Sequence, residues 1–291
     1  MRICDVPKST YYYRLKHPAP LKPKGKGRPI PGFSHNQLNK LVPDQKIKAY
    51  ITRILSGDDA AFGYRKITVI LKRKYKLIIN KKKVYRLCKE MNLLAPQREK
   101  RNLAPKKVAN NRIVTGPNQL WQMDIKYGYV AGQRRHFYLA SIIDVFDRAI
   151  VSYHRGKACH TQDILQVLQK GLQKRKVSKQ EHKLVIRTDN GTQFTSKAFY
   201  AFCEEAQIEH ERIPVQMPNK NAYIESFHSI LERECYLRNC FESFTEAFNE
   251  VDRFIHYYNH RRIHGSLMDW PPTTYTRLVA KGEITPQKIA L

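Results

Sequence analysis

The sequence predicts an α/β protein, a mixed β-sheet flanked by helices, with a strongly basic all-α domain ahead of it. Three observations carry that expectation. Through residues 44–95 apolar side chains recur at helical spacing. From residue 119 the pattern changes to strand-like runs, three in hairpin order and then strand alternating with helix, which implies a mixed sheet covered by helices. The charge changes as well. Lysine and arginine total 53 against 25 acidic residues; residues 1–110 carry 28 basic and 6 acidic side chains, +22, and the remainder only +6.

At 291 residues and 42% hydrophobic, the chain has the length of about two domains and enough apolar side chains for a core. No apolar run approaches the ~20 residues of a membrane span. No basic start, apolar stretch and small-residue cleavage site forms a secretory signal. A soluble intracellular protein is expected. Cys4, Cys88, Cys159, Cys203, Cys235 and Cys240 form no CxxC pair and no zinc-ribbon spacing, so reduced, mostly buried thiols are expected. The charge asymmetry points to a polyanion partner, nucleic acid being the commonest inside cells. A solvated basic surface and an acidic-membrane patch are the other readings.

Residues 1–16 read as the end of a helical unit, in which Ser9 can cap a short helix carrying Tyr12, Tyr13 and Leu15. Residues 17–36, with five prolines and three glycines among lysines, read as a basic extended linker, so 1–42 is a partial unit plus linker. Residues 43–95 predict a helical DNA-binding domain. Asp44 can cap a helix with Ile47, Ile51, Ile54 and Leu55 on one face. A second helix, from about Tyr64, sets Ile67, Ile70, Leu71 and Tyr75 at helical spacing. Asn80 can cap a third, with Val84, Leu87, Cys88 and Met91 inward. That helix opens with Lys81, Lys82 and Lys83, as suits phosphate or groove contact by the second helix of a helix-turn-helix. A solvated basic face is the plainer alternative. Arg65, Lys66 and Arg86 complete the candidate DNA contacts here. Residues 96–118 return to proline and basic residues, a second linker.

Residues 119–278 form the second domain, followed by a tail, 279–291. LWQMDIKYGYV, HFYLASIIDVF and RAIVSYHR read as strands broken at Gly132 and at Asp147-Arg148. TQDILQVLQKGLQK is an amphipathic helix that Thr161 can cap. KLVIRT is a short buried strand, SKAFYAFCEEAQ a helix and IEHERI a further strand. Residues 221–238 and 244–262 are two more helices.

Three carboxylates stand out. Asp124 lies in the first strand, whose Trp121, Met123 and Ile125 point to the opposite face. Asp189 follows the buried run Leu184–Ile186 in TDNGTQF, and Glu225 lies early in the helix NAYIESFHSILERE, with thirty-five residues between the two acids. Singly, Asp189 reads as a turn cap, Glu225 as a surface helix residue, and Asp144 and Asp147 as structural acids at a strand end and turn. Phosphodiester chemistry would give a reason for three acids to gather. Two divalent ions ~3.5–4 Å apart activate a nucleophile and stabilise the leaving oxygen. Hard cations such as magnesium take carboxylate oxygens, with waters and substrate in the remaining positions.

WQMDIK, FYLASIIDVFDRAIVSY, RTDNGTQFTS, NAYIESFHSILERE and YYNHRRIHGSL strongly resemble the integrase-core (DDE) transposases of bacterial insertion sequences, in the superfamily of retroviral integrases. More narrowly they resemble the OrfB or fused OrfAB product of the group with thirty-five residues between the second and third acids. The resemblance covers roughly 43–278. It implies a ribonuclease-H-like sheet, with Asp124, Asp189 and Glu225 as catalytic and metal-binding acids and Mg2+ or Mn2+, two ions, as cofactor. It implies cleavage at transposon ends and strand transfer, with terminal inverted repeats and target DNA as partners and a homo-oligomer assembled on DNA. The upstream OrfA product is a further partner, often joined by frameshifting, which would account for the short start at Met1. The expected location is the bacterial cytoplasm, at the nucleoid when bound to DNA.

The chain departs from the family pattern at Lys220, where an acid is usual before Asn-Ala, and at Arg187, where histidine is frequent. It departs again at Glu232, where the family places a cation that helps bind the transposon end. Arg233 follows it, about 100° round the helix, and is a candidate DNA contact together with Arg261 and Arg262. A carboxylate at 232 would repel phosphate, unless it pairs with Arg233 or Arg238. His256, His260 and His264 recur every four residues; a metal reading competes with a segment that closes the catalytic domain near DNA. Ser226 and His228 have no nucleophile elbow around them. The rival functions are a non-catalytic DNA-binding copy of such a transposase and a general nuclease.

Overall fold

The computed structural model describes residues 12–13, 15–16, 31–94, 112–177, 183–213, 221–286 and 288–290. The expectations for 17–30, 96–111 and Lys220 lie outside them, as does most of 1–16, of which Tyr12, Tyr13, Leu15 and Lys16 are helical. The N-terminal unit runs β1 (Phe33–Asn36), β2 (Leu41–Pro43), α1 (Asp44–Leu55), α2 (Tyr64–Lys74), β3 (Leu77–Ile78) and α3 (Lys81–Glu90). Its three helices bury the expected stripes: Ile47, Ile51 and Ile54 from α1, Ile67 and Leu71 from α2, Val84, Leu87 and Cys88 from α3. Asn80 caps α3 by accepting from the Lys82 amide at 3.0 Å.

Two expectations are corrected here. The unit is not purely helical, because β2, β1 and β3 form a small antiparallel sheet in that order, and β1 occupies the end of the supposed first linker. Strands of two to four residues are too short to show a period, and only their pairing defines them. The hairpin closes where Asn36 Oδ1 accepts from the Leu38 and Lys40 amides. Asp44 does not cap α1; Pro43 holds the N-cap position. The Asp44 carboxylate instead meets Lys83 Nζ at 2.5 Å and Arg86 at 2.7 Å, tying α1 to α3.

The second unit runs β4 (Ile113–Val114), β5 (Leu120–Val130), β6 (Arg135–Asp144), β7 (Ile150–Gly156), α4 (Thr161–Arg175), β8 (Val185–Thr188), α5 (Lys197–Glu205), β9 (Glu209–Arg212), α6 (Ala222–Glu234), α7 (Phe244–His260), α8 (Pro272–Ala280) and β10 (Ile289–Ala290). Five strands form the mixed sheet, in order β7-β6-β5-β8-β9. β5, β6 and β7 are antiparallel neighbours, while β8 runs parallel to β5 and β9 to β8. Side-chain alternation splits the sheet into two cores. Trp121, Met123, Ile142 and Val151 meet Ile164, Val167 and Leu168 of α4 and Phe199 of α5. Phe137, Leu139 and Ile143 meet Ile224, Phe227 and Leu231 of α6 and Val251, Phe254 and Tyr258 of α7.

Gly132 marks a close approach, since a Cβ there would lie 2.4 Å from the Glu242 carbonyl oxygen. α4 is capped by His160, not Thr161, with Asp163 returning a bond to the His160 amide at 2.8 Å. α7 ends at His260, so His264 falls outside that helix.

The units are docked on one another. Asp58 bridges Arg253 at 2.6 Å and Arg261 at 2.8 Å, and Asp59 accepts from the Tyr257 hydroxyl at 3.1 Å. Arg73 stacks 3.8 Å over Trp270 and donates to the Asp269 carbonyl at 2.5 Å. Ile263 packs into the N-terminal core.

Candidate active site

β5 presents Gln122, Asp124 and Lys126 on one face, and α6 runs along it. Fully buried Gln122 accepts through Oε1 from the amides of Tyr223 and Ile224, each at 3.1 Å. Two residues on, Asp124 Oδ2 lies 3.5 Å from Nδ1 of His228. Two further on, Lys126 Nζ lies 2.9 Å from Glu232. Strand and helix thus meet at successive same-face residues on one and successive turns on the other, which matches a rise of ~3.3 Å per strand residue against ~1.5 Å per helical residue. Gln122 therefore fixes the start of α6, and with it Glu225, beside Asp124. Motif reading did not single out Gln122, which looks in sequence like any polar strand residue.

β8 brings Asp189. The parallel register pairs Leu120 with Val185, Trp121 with Ile186 and Gln122 with Arg187. The same offset, carried two residues past the last pair, would set Asp189, just after the end of β8, level with Asp124. Buried Arg187 anchors this strand to β9, its Nε and Nη2 donating to Glu211 at 3.0 and 2.8 Å. The Asp189 side chain accepts from the Gly191 amide at 2.9 Å. Gly191 is there for proximity and not for a left-handed φ, since a Cβ would lie 3.1 Å from Asp189 Oδ1.

The three acids share one electrostatic field. Burial, with the like charges of Asp189 and Glu225, pushes the Asp124 carboxyl up to about 7, against the opposing pull of the Ile125 amide and Lys126. Burial and Lys126 push His228 down to about 3, so its imidazole is neutral near pH 7. Asp189 and Glu225 are exposed and Asp124 half-buried. A half-buried carboxyl with two other acids nearby is suited to a cation.

No three His, Cys, Asp or Glu side chains among the described residues are gathered tightly enough to cage one ion. Magnesium does not call for such a cage. It binds through one or two carboxylates and fills its octahedron with water and substrate phosphate. The all-carboxylate donor set fits that chemistry. His256 and His260 lie with ring centroids 4.5 Å apart and planes tilted by 36°, while His264 packs against Tyr258, and among the described residues the three histidines form no metal-binding cluster.

The remaining acids and bases fall into place. Asp144 accepts from the Asn118 and Phe146 amides, and Asp147 from Ala149, with Arg175 and Thr276 on its carboxylate. Both are fully buried and hold the β6–β7 turn. Lys81, Lys82 and Arg65 are exposed. Arg65 and Lys81 line a groove of about 850 Å3 with Lys72, Val69 and Ile78. Lys83 and Arg86 are engaged by Asp44. Lys66 lies 4.4 Å over the Phe62 ring, and burial with the nearby Arg262 charge lowers it to about 8. Arg262 is buried and bonds Glu234 twice at 2.7 Å, and Arg233 meets the same acid at 2.8 Å. Arg261 pairs with Asp58. Glu232 pairs with Lys126 and not with Arg233 or Arg238. Among the described cysteines, Cys88, Cys159, Cys203 and Cys235 are free and buried and Cys240 is free and exposed.

Known proteins bear the same stamp. Residues 114–218 and 206–272 each match a family profile described as integrase core domain, and 43–101 match one described as HTH-like domain. A protein of insertion sequence element IS150 in Escherichia coli (strain K12) is 27% identical over 284 residues, 94% of this chain and 91% of that protein. The transposase for insertion sequence element IS904 of Lactococcus lactis subsp. lactis (strain IL1403) is 29% identical over 245 residues, 80% and 93% of the two chains. The HTLV-2 integrase catalytic core domain, solved in complex with magnesium, matches at 21% identity and TM-score 0.42, over 55% of this chain and 97% of that one. With integrase-core matches running from β4 to α8, an HTH-like match over α1 to α3, and insertion-sequence transposases among its relatives, the chain belongs to the integrase-core transposases of insertion sequences.

Proposed function

We propose that this transposase, a polynucleotidyl transferase, cleaves the ends of its insertion sequence and joins them to target DNA through Asp124, Asp189 and Glu225. The observation that carries the proposal is the pair of integrase-core matches over 114–218 and 206–272, which together span Asp124, Asp189 and Glu225. The fold family implies a divalent metal; we assign it as magnesium or manganese, two ions, held by these carboxylates. When bound, the ions supply charge neutralisation at the phosphoryl oxygens and activate the attacking oxygen. The chain's part is positional. Gln122 sets the start of α6, the β5–β8 register, whose last pair is Gln122 with Arg187, directs the chain to Asp189 beside β5, and Arg187 braces β8. Water attacks the end phosphodiester and frees a 3′ hydroxyl. That hydroxyl then attacks a target phosphodiester, forming one P–O bond as another breaks.

The integrase and HTH-like domains imply DNA binding in oligomeric complexes. The finer assignment is that 43–95 reads the terminal inverted repeats, with the exposed Lys81, Lys82 and Arg65 on phosphate, while 119–278 carries the chemistry. The parts of 1–42 and 96–118 outside β1, β2 and β4 are then linking segments, and the tail 279–291 returns through β10 to pair with β4. The homo-oligomer, the OrfA partner and nucleoid association belong to the same proposal. No helix among the described residues is long and apolar enough to cross a membrane.

Strand transfer from a pre-cleaved transposon end tests the reading. Asp124→Asn, Asp189→Asn and Glu225→Gln are each expected to abolish it while end binding persists. An active Asp124→Asn protein refutes the assignment.

A further inference from the structure

His228 lies three residues beyond Glu225 on α6 and is buried, 8% exposed. Its ring spans two strands. Nδ1 is 3.5 Å from Asp124 Oδ2 on β5, and Nε2 is 3.5 Å from Ser141 Oγ on β6. Asp124 and Ser141 are direct cross-strand partners, and Ser141 is fully buried. A neutral imidazole has one donor and one acceptor. With the serine hydroxyl donating to Nε2, the ring proton stays on Nδ1, facing Asp124. The other carboxylate oxygen, Oδ1, already accepts from the Ile125 amide at 2.8 Å. Asp124 is therefore flanked on both sides, by a hydrogen bond at Oδ1 and by the imidazole edge 3.5 Å from Oδ2.

A merely structural residue at 228 would not need an imidazole. Its neighbours on the helix, Ile224, Phe227 and Leu231, are apolar core, and burying a polar ring among them costs desolvation that leucine would not. Among the described residues, the ring nitrogens face Ser141 and Asp124.

We propose that His228 is a positioning residue for the transposase reaction. It fixes the Asp124 carboxylate in the orientation that receives a divalent cation, and Ser141 sets its tautomer. The proposal rests on reading the three acids as metal ligands. Groups that orient a ligating carboxylate are worth ~10–100-fold in metal affinity.

The test is Mn2+ binding to the full chain by calorimetry without DNA, beside metal-free thermal midpoints and strand transfer over a Mn2+ series. His228→Leu is expected to keep its metal-free midpoint within a few degrees. Its Mn2+ affinity should fall ~10–100-fold, and half-maximal strand transfer should need correspondingly more metal. His228→Asn, whose amide can occupy the place of Nδ1, should restore most of the affinity. Ser141→Ala should lose a smaller factor. Unchanged Mn2+ affinity in His228→Leu overturns the proposal. If that variant does not fold, His228→Gln, which carries its amide one methylene too far, is expected to show the same loss, and wild-type affinity there overturns it equally. Failure of the underlying reading has its own signature, an Asp124→Asn protein that binds Mn2+ and transfers strands like wild type.

Discussion

Arg262→Met separates a structural role for that arginine from a DNA-contacting one. The side chains of Arg262 and Glu234 are each 5% exposed and joined by two bonds of 2.7 Å. Methionine fills much of the arginine stem's volume but leaves Glu234 buried, with Arg233 at 2.8 Å as a remaining partner. Removing one member of a buried pair costs ~3–5 kcal/mol; the retained Arg233 contact sets the expectation at the lower end, ~3 kcal/mol. At roughly 2–4 °C per kcal/mol for a unit of 150–250 residues, the midpoint should fall by about 6–12 °C. The double variant Arg262→Met/Glu234→Leu should recover most of this, because no charge is then left buried.

The loss should also depend on pH. Burial alone would push Glu234 up, but the bonds and charge of Arg262, with Arg233 and Lys66, hold it below the usual glutamate range. The pair's contribution is complete above that range and lost as pH falls through the depressed folded value. Wild-type and Arg262→Met midpoints should therefore differ near pH 7 and converge in acid. Thermal denaturation by circular dichroism, run beside gel-shift binding of a transposon end, reads both roles. A neutral midpoint with end binding lost would refute the reasoning and make Arg262 a DNA contact.

Glu232→Lys removes a half-exposed pair worth ~0–1 kcal/mol, frees Lys126 and adds a cation beside the site. End binding should tighten, with a salt slope steeper by about one to two, and strand transfer should quicken; an equally folded variant that is no faster rejects this. Lys81→Ala and Lys82→Ala should each flatten the salt slope by about one. Lys83→Ala should instead lower the thermal midpoint, since its ammonium is held by Asp44 and the carbonyls of Pro31 and Phe33. Equal slope changes at all three lysines would contradict that division. Gly191→Ala would press a methyl to 3.1 Å from Asp189 Oδ1 and 3.3 Å from Phe194. Because small misplacements at a reacting centre cost up to ~100-fold, strand transfer should fall about tenfold or more with little change in midpoint, and a fully active variant counts against Asp189.

The sequence by itself determined the two-part architecture, because the period of apolar residues reports which side chains seek burial, and that is a local property. Long elements such as β5, β6, α4 and α7 were legible within a residue or two, and so was the Asn80 cap. The acids were legible as a motif, through order and spacing. What only the tertiary structure decided was who meets whom. A lysine or arginine on a helix reads the same whether it faces water, phosphate or a buried acid. Arg262 and Lys66 were thus indistinguishable from Lys81 until α2 and α7 were packed together. Glu232 finds Lys126, and Gln122 the start of α6, across separations that no window of sequence spans. The small sheet of β1, β2 and β3 exists only through pairing, since two to four residues carry too little alternation to announce a strand. The approach of His228 to Asp124 belongs to the same class. It depends on α6 lying along β5, and that geometry is set by packing between distant segments and not by either segment alone.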